Sequence, residues 1–373
     1  IPISCTAQEQ GEPALSREIG DAPTAPVNYT MTEIATGLET PWSLAFLPDG
    51  DMLVTEKVGR LRVIRDGQLL QQPVEGVPAV FSRSQAGLFD VVLHPGFGEN
   101  SLVYLAYSHE EDGRNTLRLA RARFVPDDDS GSLQDFEVLF TADAWRQSGA
   151  HYGGRIVFLP DGTLLLTSGE GYAHREQSQE LDNHFGKILR LNDDGTVPAD
   201  NPFVGESDAL PEIWSYGHRN PQGLIYDAES DTVYSHEHGP KGGDEINIIE
   251  KGNNYGWPVI TYGIDYSGAI ISPYTEMDGM EQPVVHYVPS IAPSGMTLYR
   301  GDLFPDWRGD LFIGALAHKH VRHINVENGR FGGQSELFGE LRERIRDVRT
   351  GPDGHLYVLT DRSGGKVIQV SPN

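Results

Sequence analysis

The sequence predicts an all-β protein that folds as a six-bladed β-propeller, and two observations lead to this prediction. From about Ile34 onward, short runs of β-favouring residues are separated by turn residues, and no apolar period of 3.6 residues is sustained. A short motif, a turn followed by an apolar run, also recurs six times along the same part of the chain. Recurrence of this kind is typical of propellers, whose blades need about 40–50 residues each.

The repeated motif predicts one hairpin in every blade. In two of its copies it reads Phe-Leu-Pro-Asp-Gly and is followed by an apolar run. Proline sets φ for the turn, aspartate caps the turn with its side chain, and glycine takes the left-handed conformation. The apolar run predicts a strand that is buried on both faces. The three clear copies and the three weaker ones occupy residues 46–55, 158–167 and 351–360, and residues 94–105, 226–234 and 304–313.

Six hairpins in series favour six blades of about four strands each, with a pair of β-sandwiches as the alternative fold. The copies are widely spaced after residues 168 and 236, so we expect long loops there. Residues 1–30 are polar, contain four prolines and show no period, which predicts an N-terminal tail or a surface arm. Residues 31–373 are then expected to form a single propeller domain.

The composition excludes several classes of protein. With 29 Lys and Arg against 54 Asp and Glu, the chain carries a formal charge of −25, so it would repel nucleic acid and anionic membrane surfaces. No apolar stretch approaches the roughly 20 residues that a spanning helix needs. Cys5 is the only cysteine, which rules out a disulfide within the chain. Because the chain starts at Ile1 and not at Met, we expect a removed leader and a periplasmic or secreted location.

Two polar segments that precede predicted strands contain candidate catalytic residues. His151 lies among small residues in segment 148–155, where a ligand has room and an imidazole can act as a general base near neutral pH. A histidine packed at a strand entry is the alternative. Arg219 lies in the dense polar segment 216–223, and its planar guanidinium suits a carboxylate or a developing oxyanion. A turn stabilised by a structural arginine explains this segment equally well.

Two further segments suggest ion binding. Segment 236–247 combines a Gly-Pro-x-Gly-Gly course, which exposes carbonyls, with Asp and Glu, and these oxygens are the ligands that Ca²⁺ prefers. A solvated acidic loop, or a zinc site on His236 and His238, is the alternative. Segment 342–349 carries alternate arginines on one side of an extended chain, which favours a small molecule with carboxylates or phosphates. The alternative there is pairing with surface acids.

Three stretches together carry a specific resemblance to a known family. They are Gly217-His218-Arg219-Asn220-Pro221-Gln222-Gly223, then Gly239-Pro240 leading to Asp244-Glu245-Ile246-Asn247, and Asn254-Tyr255-Gly256-Trp257-Pro258. From about Ile34 to Val370 the chain resembles the soluble quinoprotein aldose dehydrogenases of the glucose/sorbosone dehydrogenase family. The resemblance implies a six-bladed propeller that uses pyrroloquinoline quinone (PQQ) and Ca²⁺. It also implies that an aldose is oxidised at the anomeric carbon to a lactone, with hydride passing to PQQ and electrons then to an external acceptor.

The resemblance also implies roles for individual positions. His151 would be the base for the anomeric hydroxyl, and Arg219 would stabilise negative charge on the quinone oxygen. The carbonyls of Gly239 and Pro240 would bind the calcium that contacts PQQ. The other implied cofactor contacts are Gln85, Arg219, Asn220, Ser290, Lys319, Arg344 and Arg346. A possible second, structural calcium would use Thr261, Gly263 and Asp265.

Two positions depart from the family pattern. The best-known member has Asp before the catalytic histidine, where this chain has Ala150, so another group must orient His151. The family also places a cofactor-binding lysine where this chain has Ala317, and Lys319, two residues further on, is the expected substitute.

Two other function classes remain open on the sequence. A calcium-dependent sugar lactonase would share the fold, and a non-catalytic glycan-binding propeller would share it too. Neither needs the arginines at 344 and 346, which therefore discriminate among the three.

Overall fold

The computed structural model describes residue 24, residues 27–327 and residues 329–373. Within that part of the chain, 24 strands form six four-stranded antiparallel sheets, which confirms the predicted six-bladed β-propeller. The predicted tail at residues 1–30 falls largely outside the described residues, and its last two residues belong to the first strand. None of the helices in the described part is long and apolar enough to cross a membrane.

The strands are numbered in chain order. Blade one contains β2 (Pro41–Phe46), β3 (Met52–Glu56), β4 (Arg60–Arg65) and β5 (Gln68–Leu69). Blade two contains β6 (Leu88–Leu93), β7 (Leu102–Glu111), β8 (Arg114–Val125) and β9 (Ser132–Thr141). Blade three contains β10 (Ile156–Phe158), β11 (Leu164–Ser168), β12 (Lys187–Leu191) and β13 (Ile213–Tyr216). Blade four contains β14 (Pro221–Asp227), β15 (Thr232–Glu237), β16 (Asp244–Ile248) and β17 (Val285–Tyr287).

Blade five contains β18 (Pro293–Leu298), β19 (Leu311–Ala315), β20 (His320–Glu327) and β21 (Arg330–Leu337). Blade six contains β22 (Ile345–Thr350), β23 (Leu356–Thr360), β24 (Ser363–Pro372) and the N-terminal strand β1 (Tyr29–Glu39). The helices are short: α1 spans Phe97–Asn100, and 3₁₀ turns span Arg175–Gln179, Pro305–Trp307 and Gly339–Leu341.

The ring is closed by strands from both ends of the chain. β1 pairs antiparallel with β24, from Tyr29 opposite Pro372 to Glu39 opposite Ser363. The first strands of the six blades, β2, β6, β10, β14, β18 and β22, contact one another in sequence around the central channel. Closure gives every blade two neighbours, and the outer strands remain as short edges of separate sheets.

Every copy of the repeated motif lies between the first and second strands of its blade. The turn geometry recurs as well: in the copy at residues 46–55, the amide of Leu47 donates to the Asp51 carbonyl at 2.8 Å and Gly50 donates to Leu47 at 3.0 Å. Gly50 has φ of +96°, the left-handed conformation for which the motif supplies glycine. The second strands β3, β11, β19 and β23 are buried along their whole length, as the apolar runs predict.

Because all first strands start at the same face of the disc, all second strands end there. The loops that leave this face therefore converge on one mouth of the channel. Of the two expected long loops, the one after residue 168 is present and runs to β12. The second follows β16 and spans residues 249–284, later than expected, because a short turn first returns the chain from β15 to β16.

Candidate active site

A cavity of about 510 Å³ opens at this mouth of the channel, a size within the range of about 300–1,000 Å³ typical of small-molecule sites. Trp42 and Phe89 supply apolar surface, and the other lining side chains are mostly polar or cationic. A smaller hollow of about 290 Å³ is lined by Glu170, Tyr172 and Arg219, among others. His151 contacts the walls of both hollows, so the candidate base lies between them.

An amide cluster lines the larger cavity beside His151. The Gln85 side-chain oxygen accepts the backbone amide of His151 at 2.9 Å. The Asn220 side-chain oxygen accepts the amide of Gly153 at 3.2 Å, and Gln222 donates to the Gly153 carbonyl at 3.1 Å. These bonds link the loop before β10 to the start of β14, so the predicted residues Gln85 and Asn220 are brought together. Gln222 joins them, although it was not singled out from the sequence.

His151 is oriented by Glu170. His151 is 5% exposed, and its Nδ1 lies 2.8 Å from Glu170 Oε1. A carboxylate in this position accepts the Nδ1–H and leaves Nε2 free to take a proton. Burial lowers the pKa of His151 below its ordinary value, although the hydrogen bond to Glu170 acts in the opposite direction. Ala150 cannot orient His151, and Glu170, two residues after β11, does so instead.

The backbone at His151 is held in an uncommon conformation. Its φ is +53°, a region that non-glycine residues rarely adopt and that persists where the surroundings enforce it. The buried Arg146 guanidinium donates to the His151 carbonyl at 2.5 Å. Gly169 packs so closely that a Cβ there would lie 2.3 Å from the same carbonyl oxygen. These contacts fix the imidazole between the two hollows.

Arg219 is buried next to the Gly239–Pro240 loop. Its Nη1 donates to the carbonyl of His238 at 3.0 Å and to that of Gly239 at 2.7 Å, and its guanidinium lies 5.3 Å from the Trp257 ring centre. Within the described residues, Arg219 Nε and Glu170 Oε2 are buried and have no hydrogen-bond partner. Both residues line the smaller hollow, so one buried donor and one buried acceptor without partners lie in its walls.

The Asp244 carboxylate ties the Gly239–Pro240 loop to the loop that carries Ser290. It accepts the amide of Gly239 at 2.9 Å, the hydroxyl of Ser290 at 2.7 Å and the amide of Ile291 at 2.7 Å. Ser290 thus donates to a buried acid and is not among the residues that line the larger cavity, although Ala292 in the same loop is. Pro240 lines the smaller hollow.

A basic wall, made of Lys57, Arg344 and Arg346 with the carboxylate of Asp361 between the arginines, forms one side of the larger cavity. Arg344 Nε lies 2.8 Å from Asp361 Oδ2, and Arg346 Nη2 lies 3.1 Å from Asp361 Oδ1. Burial would raise the pKa of Asp361, but Arg346 and Arg344 outweigh burial and hold this pKa below its ordinary value. The two predicted arginines do converge on the cavity, together with Lys57.

The residues predicted for a second calcium, Thr261, Gly263 and Asp265, lie in the long loop that follows β16. Thr261 is buried, and its hydroxyl accepts the amide of Gly263 at 3.1 Å. Asp265 caps a turn by accepting the amide of Ser267 at 2.8 Å. In the described ranges, the one trio of acidic or histidine side chains close enough to share an ion lies elsewhere, in blade five. Its members are His318, His320 and Glu336.

Two other interpretations of the sequence do not match the geometry of the larger cavity. Lys319 occupies an exposed turn between β19 and β20 and does not line the larger cavity. The zinc alternative is not supported by the geometry, because His236 is fully buried in β15 and His238 Nε2 is hydrogen-bonded to the Pro293 carbonyl at 2.6 Å.

The cavity residues that were not predicted share a position in the repeat, close after the second strand of a blade. The first residue after the second strand lines the larger cavity in four of the six blades. These residues are Lys57, His238, Leu316 and Asp361. Glu170 is the second residue after β11, which is the second strand of blade three. Aligning the six repeats by strand ends would have pointed to all of them.

Comparison with known proteins places the chain in a family. Residues 38–369 match the family model described as Glucose / Sorbosone dehydrogenase. Aldose sugar dehydrogenase YliI of Escherichia coli is 44% identical over 353 residues, which cover 93% of this chain and 94% of that protein.

Two solved structures share the fold. The soluble aldose sugar dehydrogenase of E. coli in its apo form is 44% identical, covers 92% of this chain and all of that chain, and superposes with a TM-score of 0.89. The PQQ-bound aldose sugar dehydrogenase of Streptomyces coelicolor is 26% identical, covers 93% of this chain and 99% of that chain, and has a TM-score of 0.76. The chain therefore belongs to the glucose/sorbosone dehydrogenase family, which confirms the resemblance drawn from its motifs and the expected enzyme class, an oxidoreductase.

Proposed function

We propose that this chain is a PQQ- and calcium-dependent aldose dehydrogenase that oxidises the anomeric carbon of aldose sugars to the lactone, with His151 as the base. The observation that carries the proposal is the His151–Glu170 pair, which lies between a cavity with a basic wall and a smaller polar hollow. The family relatives support the class of reaction, since one solved relative is a PQQ-bound aldose sugar dehydrogenase.

The residues of the larger cavity fit a flat cofactor with three carboxylates. Cations on the basic wall suit carboxylates, the amide cluster offers hydrogen bonds to carbonyls, and Trp42 and Phe89 offer apolar surface for rings. Arg344 and Arg346 would hold carboxylates, and Gln85 and Asn220 would hold the quinone end beside His151.

The Gly239–Pro240 loop fits a hard cation. Its carbonyl oxygens are ligands of the type that Ca²⁺ takes, and a carbonyl that already accepts from Arg219 keeps a second lone pair. The buried carboxylate of Asp244 beneath the loop fixes the amide of Gly239 and adds negative charge. When bound, PQQ would supply the two-electron acceptor and Ca²⁺ the Lewis acidity for sugar oxidation. The second calcium at Thr261, Gly263 and Asp265 stays a prediction.

The chain's own residues supply binding, orientation and proton transfer. Because Glu170 holds the Nδ1–H, His151 Nε2 accepts the proton of the anomeric hydroxyl. Arg219 and Glu170, whose side chains line the smaller hollow, would bind sugar hydroxyls there. The buried cation of Arg219 stabilises negative charge that develops at the reacting centre. Electrons then pass to an external acceptor, and we place the enzyme in the periplasm or outside the cell.

The test is sugar oxidation with an artificial electron acceptor. Protein stripped by a chelator is given Ca²⁺, PQQ, both or neither, and a panel of aldoses is assayed. We expect activity only when both are added, and lactone as the product. Absence of activity together with absence of PQQ binding by titration would overturn the proposal and favour a lactonase or a glycan-binding propeller. In a second test, His151→Ala should lower turnover about 10²–10⁴-fold without weakening PQQ binding, because it removes the base alone.

A further inference from the structure

The basic wall contains more cations than its carboxylate can balance. Arg344 and Arg346 share Asp361, and each oxygen of that carboxylate is within 3.1 Å of a guanidinium nitrogen. Lys57 faces the same cavity from blade one. Arg362 also lines the cavity but pairs with Glu343 at 3.5 Å, so the other three cations share one acid on one side of the cavity, in a protein whose formal charge is −25. An excess of like charge at a partly buried wall is unfavourable unless an anion binds there.

Lys57 has no acidic partner of its own. Its Nζ donates to the Ser84 carbonyl at 2.7 Å, and in the part of the chain that the structure describes no carboxylate lies within ion-pair distance of it. The side chain is half-buried. Burial lowers the pKa of Lys57, and the charges of Arg346 and Arg344 lower it further, while Asp361 opposes them. An ammonium group in this position has unused donors and a surplus of positive surroundings.

The fold explains why a lysine at this position reaches the cavity. Lys57 is the first residue after β3, which is the second strand of blade one. The matching residues in three other blades, His238, Leu316 and Asp361, also line the cavity. Ala317 follows Leu316, and Lys319 lies beyond it in an exposed turn that is not part of the cavity wall.

We propose that Lys57 binds a carboxylate of the cofactor, as the one cation of the basic wall that has no acidic partner among the described residues. The inference rests on the proposed function and deepens it, because it assigns the third cation of the basic wall to a third carboxylate of the ligand. The contact comes from blade one and not from blade five, so the carboxylates are held across the gap between blades one and six.

The test is PQQ binding by fluorescence or calorimetric titration in the presence of Ca²⁺, which needs no turnover. Lys57→Met keeps most of the side-chain length and removes the charge, and Lys57→Arg keeps the charge. A charge-assisted hydrogen bond contributes about 1.5–3 kcal/mol, so Lys57→Met should raise the Kd about 10–100-fold. Lys57→Arg should recover much of that loss. Lys251→Met, a change far from the cavity, is the matched control and should bind PQQ like the wild type.

The outcomes separate the inference from the proposed function. A wild type that binds PQQ, together with a Lys57→Met variant of unchanged Kd and unchanged melting temperature, overturns the inference and leaves the proposed function standing. Weaker binding by Lys319→Met but not by Lys57→Met assigns the contact to Lys319 and also overturns it. A wild type that binds no PQQ overturns the proposed function itself. If Lys57→Met does not fold, Lys57→Gln is titrated and judged by the same criterion.

Discussion

Replacing Glu170 by glutamine tests how the base is oriented. The substitution keeps the shape of the side chain but removes the charge that accepts the Nδ1–H of His151 at 2.8 Å. An amide can instead donate to Nδ1, which favours the tautomer that carries its proton on Nε2 and cannot act as the base. We therefore expect Glu170→Gln to impair catalysis while the fold and the cofactor cavity remain intact.

The size of the effect follows from what a positioned base contributes. General-base catalysis accounts for about 10²–10⁴-fold in rate, and an amide in place of an orienting carboxylate in a serine-protease triad costs about 10⁴-fold. For Glu170→Gln we expect turnover to fall about 10²–10³-fold, because a fraction of His151 still adopts the productive tautomer. The Kd for PQQ should change less than about twofold, since Glu170 lines the smaller hollow and not the larger one.

The pH dependence gives a second readout that a purely structural role would not change. His151 must be neutral to act as a base, so activity falls as the pH drops through its pKa, which burial holds below the ordinary value. The hydrogen bond to Glu170 raises that pKa, so its removal should move the acidic limb of the profile to lower pH. In the variant, the remaining activity should therefore persist further into the acid range.

The assay is the single-turnover reduction of the PQQ-loaded enzyme by sugar, which does not depend on reoxidation by an acceptor. Stopped-flow absorbance monitors this reduction from about pH 5 to pH 8. Glu176→Gln is the control, because Glu176 lines the same hollow but is exposed and pairs with Arg175. If Glu170→Gln retained the turnover and the pH profile of the wild type, the orienting role of Glu170 would be refuted.

Four further results are expected. The double change Arg344→Ala with Arg346→Ala should weaken PQQ binding by about 10–100-fold per residue, as measured by titration, and an unaltered Kd would contradict the carboxylate contacts. Removing Ca²⁺ with a chelator should lower both activity and melting temperature. If both stayed unchanged, the result would argue against a bound calcium. Burial lowers the pKa of His320 to about 4, so the unfolded chain takes up a proton from about pH 6.5 downward while the folded chain does not, and stability is lost over that interval. Urea titrations should show that the free energy of unfolding falls less for His320→Gln than for the wild type between those pH values; equal losses would mean that this histidine is not buried in its neutral form. Deleting residues 1–40 should expose the edge of β24, lower the melting temperature and promote aggregation, which thermal unfolding and light scattering would detect.

The sequence alone was sufficient for the architecture. Each copy of the motif encodes its turn locally, through proline, aspartate and glycine, and each following apolar run encodes a strand buried on both faces. Six local signals therefore add up to six blades, and the structure places every copy between the first and second strands of a blade. The motifs also identified the family, because each is a contiguous stretch of specific residue types.

The tertiary structure decided which side chains meet at the site. Glu170 lies 19 residues from His151 in the chain, and Lys57 is more than 280 residues from Arg344, so neither partnership leaves a local pattern. Local spacing did suggest Lys319 as the replacement for a missing lysine, but the turn after β19 carries that residue away from the cavity. A turn is determined by neighbours in the sequence, whereas an active site at the mouth of a propeller is assembled from the strand ends of separate blades. Its membership is therefore fixed only when the ring closes.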